Sequence, residues 1–298
     1  LYDELEQKGL TFRPPCYLAD EWLCPDKEPI IGIPFCLAHP RLKRLEKKMM
    51  LEVEGGTEST CIKLLRHECG HTYNYAYKLY KRTRWRQLFG PFSFRYSASY
   101  NYQPYSRRYV SHLGDSYAQC HPDEDFAETF AVWLAPGNRW EEKYKGWPAL
   151  KKLRYVDHIA GQIAGSAPLV SAEPNPPWSA SRMTSTLAAY YERKRKTLGT
   201  EFRGYYDTCL REAFSEKPDS HRPQKASLFL REHRPLLVEQ VTRWTEHRKY
   251  DIQQLVTRLI QRCEALNLYA SGEDLVSTTA LVTAIAGNTL RNVRPHRK

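Results

Sequence analysis

One pentapeptide, His67-Glu68-Cys69-Gly70-His71, constrains this chain of 298 residues more than any other feature. Helical positions four apart lie on one face, so the two imidazoles could bind one zinc ion. Glu68 is offset by one residue, where its carboxylate could take a proton from a zinc-bound water. The alternative is a pair of surface histidines, because such pentapeptides also occur by chance. Cys69 is better explained as a small packed side chain than as a ligand.

A third ligand must come from elsewhere, and residues 121–130, HPDEDFAETF, supply candidates. Pro122 and the acidic residues after it predict the first turn of a helix over 123–134. Glu124 and Glu128 would be neighbours on that helix. Glu124 would then bind the metal, and Glu128 would accept a hydrogen bond from the outer nitrogen of a ligating histidine. An acidic helix face without a metal is the alternative.

The composition is that of a soluble globular protein, with 41% hydrophobic and 27% charged residues. No apolar run approaches the ~20 residues of a membrane span. The N-terminus lacks a signal pattern, although the absence of a methionine at Leu1 leaves a removed signal open. Eight cysteines without a C-x-x-C pair are typical of reduced thiols, so we expect a cytoplasmic protein.

Most of the net charge of +11 lies in residues 151–298. A basic half of this kind permits binding to nucleic acid or another anionic partner. The alternative is a solvated surface of charged helices. The sequence does not specify an oligomeric state.

The sequence patterns predict a predominantly helical α+β chain. Thr57 is a candidate N-cap, and Pro34 suits an edge strand because proline cannot donate to a ladder. Residues 90–117 are rich in tyrosine and predict either a substrate groove or an ordinary surface loop. A strand is predicted over 30–36, and helices over 1–8, 40–53, 58–82, 123–134, 182–214, 225–247, 250–266 and 273–291.

A stretch rich in Pro, Ser and Ala over 165–181 predicts a linker. It would separate a metal-binding domain, residues 1–164, from a basic all-α accessory domain, residues 182–298. The accessory domain could be a supporting bundle, a cover for the cleft or a recognition domain. Apolar positions at helical spacing over 226–262 are more typical of a core than of an interface.

The motif HECGH followed by a helix with the sequence EDFAETF resembles the gluzincin metallopeptidases. Residues 12–157 resemble the bacterial family described as putative zinc-binding metallopeptidases. This resemblance includes IPFCLAHP at 33–40, LEVEGG at 51–56 and FAETFAVW at 126–133. The catalytic domain of anthrax lethal factor shares a shorter pattern, in which a tyrosine stands seven residues before the ligating glutamate.

The resemblance implies a zincin-like domain that hydrolyses peptide bonds with one zinc ion. It implies Glu124 rather than Glu128 as the ligand, and Tyr117 as the donor of a hydrogen bond to the oxyanion. It also implies that an extended substrate pairs with the strand over 30–35. Glu124 follows His71 by 53 residues, a longer gap than in the shortest gluzincins, so the intervening stretch must fold back.

Two other residues are weaker candidates for the site. His121 could donate a proton or contact substrate, or simply cap its helix, and Asn74 could hydrogen-bond near the metal. We therefore expect a zinc metallopeptidase acting on a peptide or protein. The alternatives are a zinc-containing binding or regulatory protein whose basic half engages an anionic partner, and a zinc hydrolase of non-peptide substrates.

Overall fold

A computed structural model describes residues 1–96, 103, 105–113, 116–198, 206–245 and 247–289. By their internal contacts these residues form two compact units. Helices dominate both units, which confirms the predicted predominantly helical α+β class. The first unit contains Leu1–Lys47 and Val53–Ser185, and the second contains Lys48–Glu52 and the described chain from Thr186 onward.

The described chain up to residue 163 forms a series of helices and two strands, packed around the helices that carry the H-E-x-x-H motif and Glu124. The structure adds one strand, Cys16–Ala19, and three helices that the sequence patterns did not predict: Thr83–Phe89, Trp140–Lys143 and Ala149–Ile163. The elements are α1 (Tyr2–Gln7), β1 (Cys16–Ala19), β2 (Ile31–Pro34), α2 (Pro40–Met50), α3 (Glu58–Ala76), α4 (Thr83–Phe89), α5 (Pro122–Leu134), α6 (Trp140–Lys143) and α7 (Ala149–Ile163).

Helix α3 carries the H-E-x-x-H motif and begins at a capping box. The Thr57 side chain accepts a hydrogen bond from the Thr60 amide, and the Thr60 side chain accepts one from the Thr57 amide. The N-cap prediction is therefore confirmed. The helix ends at Ala76 rather than at residue 82, because Lys78 takes a left-handed conformation with φ of 49°. A 3-10 turn, Leu79–Lys81, then leads to α4.

Helices α3 and α5 approach so closely at Gly70 that no side chain fits between them. A Cβ atom at Gly70 would lie 2.7 Å from the Cα atom of Ala127 and 3.2 Å from the Cβ atom of Phe130. Next to this contact, the ring of Tyr73 stacks on Phe130 with centroids 5.1 Å apart. All four residues are buried, so this contact is the centre of the core that positions the motif.

Strands β1 and β2 form a parallel pair in which Cys16 lies opposite Ile31. On the side of β2 that faces away from β1, Gly32 pairs with Leu23. The Gly32 amide donates to the Leu23 carbonyl at 2.8 Å, and the Gly32 carbonyl accepts from the Leu23 amide at 3.3 Å. Pro34, the last residue of β2, has no amide hydrogen to donate to another strand. A substrate strand pairing with β2 would therefore have to displace Leu23.

The predicted linker over 165–181 belongs to the first unit and is hydrogen-bonded to other parts of it. Tyr77 donates its hydroxyl to the Ser166 carbonyl and Tyr17 donates to the Pro177 carbonyl, both at 2.8 Å. The stretch is therefore attached along its length, although it forms no helix before a 3-10 turn at Ala180–Arg182. The assignment of a metal-binding domain and a separate accessory domain stays a prediction.

The second unit is helical except for a two-residue antiparallel pair. The helix predicted over 182–214 is replaced by α8 and α9, with residues 199–205 between them outside the described chain. Among the described helices, none is both long and apolar enough to cross a membrane. The elements are α8 (Leu187–Leu198), α9 (Asp207–Ala213), β3 (Gln224–Lys225), α10 (Ala226–Thr245), α11 (Lys249–Ala265), β4 (Tyr269–Ala270) and α12 (Leu275–Thr289).

The close contact between α3 and α5 makes Gly70→Ala a test of the fold. The added methyl group would push against main-chain atoms of Ala127, so we expect a loss of about 1–3 kcal/mol in the free energy of unfolding. The control is Gly161→Ala in α7, where no atom lies within 4 Å of the added methyl. Since alanine favours a helix, that control should gain up to ~1 kcal/mol in urea unfolding. Equal stability of the two variants would contradict the prediction.

Candidate metal centre

Three potential metal ligands converge where α3 and α5 meet. The Nε2 atoms of His67 and His71 lie 3.2 Å apart. One carboxylate oxygen of Glu124, Oε2, lies 3.0 Å from the first nitrogen and 3.2 Å from the second. All three side chains are buried, and among the described residues they form the one group able to hold a metal ion.

The outer nitrogen of each histidine faces a carboxylate of its own. His67 Nδ1 donates to Glu128 Oε1 at 2.8 Å, and His71 Nδ1 lies 3.2 Å from Asp123 Oδ2. With its hydrogen on Nδ1, each imidazole presents a lone pair at Nε2. In that state two lone pairs and a carboxylate oxygen face one another, an arrangement that a cation stabilises. Without a cation, the Nε2 atoms can bond to Glu124 only as donors from protonated imidazoles.

The donor set fits zinc in chemistry and in spacing. Imidazole nitrogens and a carboxylate oxygen are ordinary zinc ligands, and tetrahedral ligands at 2.0–2.1 Å from zinc lie about 3.3 Å from one another. The surroundings favour positive charge: burial lowers the pKa of His67, but its bonds to Glu124 and Glu128 outweigh burial and raise it to about 9. The same carboxylates would attract a divalent cation.

Glu128 accepts hydrogen bonds both from a histidine of the metal centre and from a loop. While Oε1 accepts from His67, Oε2 accepts from the main-chain amides of His112 and Leu113 at 3.2 and 2.9 Å. The stretch that returns the chain to α5 is thereby attached to the carboxylate that orients a ligand. The sequence prediction placed Glu128 beside a histidine, and the structure adds the bonds to the loop.

Asp123 is a site residue that the sequence analysis missed. Besides facing His71, it accepts hydrogen bonds from Asn74 Nδ2 at 2.7 Å and from the Tyr75 hydroxyl at 2.5 Å. Burial opposes its charge, but His71 and the hydrogen bonds together lower its pKa. Asn74 therefore lies near the metal centre, where its hydrogen bond holds Asp123 in place. A sequence signal existed, since Asp123 directly precedes the predicted ligand and Asn74 is one helical turn from His71.

Glu68 lies next to the ligands but belongs to neither carboxylate–histidine pair. Its side chain is 7% exposed. Burial raises the pKa of its carboxyl group, and the neighbouring His67 and His71 counteract this only in part. Glu68 is thus a buried carboxyl group with a raised pKa, next in sequence to His67 and close enough to both histidines to be influenced by their charge.

Tyr117 begins a short 3-10 turn before α5, and His121 follows this turn at the start of the helix. The ring of Tyr117 is buried, with its centroid 5.6 Å from that of His67. His121 caps α5: its Nδ1 accepts from the Asp123 amide at 3.1 Å, and its Nε2 donates to the Phe94 carbonyl at 2.8 Å. Both ring nitrogens of His121 are therefore engaged in hydrogen bonds, one to the helix and one to the preceding loop. Within the predicted 90–117 loop, Tyr100 and Tyr102 lie outside the described residues.

These features form a candidate zinc site: an H-E-x-x-H helix, a buried glutamate from a later helix and carboxylates behind the histidines. Residues 42–144 match the model of a family described as putative zinc-binding metallo-peptidase. The match covers about a third of the chain, less than the predicted 12–157, and includes the motif and the ligating glutamate. It confirms the family resemblance for that segment, and with it the zinc cofactor.

No curated protein and no solved structure gives a significant match to the chain. The shorter resemblance to the catalytic domain of lethal factor therefore stays a prediction. The anionic partner of the basic half and the cytoplasmic location also stay predictions.

The pairing of His71 with Asp123 predicts an effect on metal affinity. In Asp123→Asn, the amide nitrogen would face a donor and the orientation of His71 would be lost, so we expect zinc to bind 10–100-fold more weakly. Competition with a chromophoric chelator measures this. The control is Asp157→Asn, which alters an exposed carboxylate that accepts from Trp133 Nε1 at 2.9 Å. Equal zinc affinities in these two variants would refute the assigned role of Asp123.

Proposed function

We propose that this protein hydrolyses peptide bonds as a zinc metallopeptidase of the gluzincin type. The observation that carries the proposal is the convergence of His67, His71 and Glu124 through one atom each, with each imidazole oriented by its own carboxylate. Three protein ligands leave tetrahedral zinc one open position, which is the arrangement of catalytic rather than structural sites. Bound zinc supplies a water of lowered pKa and polarises a carbonyl group.

Glu68 is the proposed general base. It is adjacent to a ligand on α3, and burial increases the basicity of its carboxylate. A general base works best when its pKa is close to the pH of the reaction. The carboxylate would remove a proton from the attacking water and then deliver it to the nitrogen of the departing amine.

Tyr117 is the proposed donor to the oxyanion. Its ring is buried and its centroid lies 5.6 Å from that of His67, which places the residue at the metal centre. A preorganised donor stabilises the charge that forms on the carbonyl oxygen more than it stabilises the substrate. This assignment also rests on the resemblance, which places a tyrosine seven residues before the ligating glutamate.

The roles of Glu68 and zinc predict separable losses. Because glutamine cannot accept the proton, Glu68→Gln should lower kcat for peptide hydrolysis by roughly 10²–10⁴-fold while the protein still binds one zinc ion. Removal of zinc with a chelator should abolish hydrolysis, and added zinc should restore it. The measurements are elemental analysis and cleavage of a mixed peptide library.

The control for this experiment is Glu58→Gln, which alters an exposed carboxylate in the first turn of the same helix. It should leave both zinc content and hydrolysis unchanged. Full activity of Glu68→Gln would exclude the proposed base. Stoichiometric zinc without cleavage of any peptide by the native protein would favour a binding protein instead.

A further inference from the structure

Tyr96 contacts the metal centre from a segment to which the sequence analysis assigned only a groove or loop. Its hydroxyl donates to Glu124 Oε1 at 2.8 Å. The bond reaches the one ligand that is not a histidine.

The two oxygens of Glu124 consequently have different partners. Oε2 faces the Nε2 atoms of both histidines, at 3.0 and 3.2 Å, while Oε1 is occupied by Tyr96. A carboxylate oxygen that accepts a short phenol hydrogen bond is a weaker ligand, because part of its charge is already compensated. Of the two oxygens, Oε2 is the one that lies close to both Nε2 atoms.

The ring of Tyr96 is positioned by the helix that carries Glu124. It stacks on His121 with centroids 3.8 Å apart and an angle of 13° between the planes. His121 in turn caps α5 and bonds to the carbonyl of Phe94, two residues before Tyr96. The tyrosine, the cap and the ligand thus form one connected set of contacts.

We propose that Tyr96 is a positioning residue that makes Glu124 a one-oxygen zinc ligand and so preserves the open coordination position. The proposal rests on the metal centre of the proposed function. It gives each of the three ligands a partner behind it: Asp123 for His71, Glu128 for His67 and Tyr96 for Glu124. Outer partners of this kind tune metal affinity and geometry.

The test compares Tyr96→Phe with the native protein and with Tyr77→Phe. The first variant removes only the hydroxyl and retains the ring that stacks on His121. The control also loses a tyrosine hydrogen bond of 2.8 Å, to the Ser166 carbonyl, away from the metal ligands. Two quantities are measured without substrate: zinc affinity by chelator competition, and the visible absorption of the protein loaded with cobalt in place of zinc.

We expect Tyr96→Phe to bind zinc roughly tenfold more weakly than the control, because the lost orientation of Glu124 outweighs the charge regained by its second oxygen. Its cobalt absorption should be weaker, because intensity falls as coordination number rises and Glu124 would now bind through both oxygens. Affinity and absorption equal to those of Tyr77→Phe would overturn the proposal. Absence of zinc binding by the native protein would instead refute the proposed function.

Discussion

The close contact of α3 and α5 at Gly70 sets the geometry of the metal centre. Two ligands lie on one helix and the third on the other, so the distance between the helices sets the distance between the ligand atoms. A glycine against the main chain of Ala127 gives the closest approach that two helices can make. Aromatic side chains around this contact, including Tyr73 and Phe130, provide the buried surface that keeps the helices together.

The same contact concentrates charge in the protein interior. Glu68, Asp123, Glu124 and Glu128 are buried there, and the last three each lie against an imidazole of His67 or His71. Burying carboxylates costs free energy unless hydrogen bonds or a counter-charge compensate for it. Asn74, Tyr75, Tyr96 and two loop amides supply hydrogen bonds, and zinc would supply the remaining charge. Much of the polar structure around the centre is therefore explained by the metal rather than by stability.

Local periodicity accounts for what could be predicted from the sequence. The spacing of His67 and His71 and the pattern around Glu124 depend on single helices, and Thr57 at the start of α3 is equally local. The position of Asp123 beside Glu124 was a local signal, but the roles of Asp123 and Tyr96 depend on contacts with residues distant in sequence. The same holds for β1, four residues whose extended conformation depends on pairing with β2. The end of α3 was missed because Lys78 adopts a left-handed conformation that its residue type does not signal.

The two bonds from Glu128 to the main chain have a consequence for the dynamics of the loop. His112 and Leu113 lie in an irregular stretch, where amide hydrogens ordinarily exchange with solvent through small local openings. Here both amides end on the carboxylate that orients His67. Exchange at these positions requires the carboxylate to be released, which disturbs the ligand as well. Slow exchange in an otherwise unstructured segment would therefore record how often the metal centre itself opens.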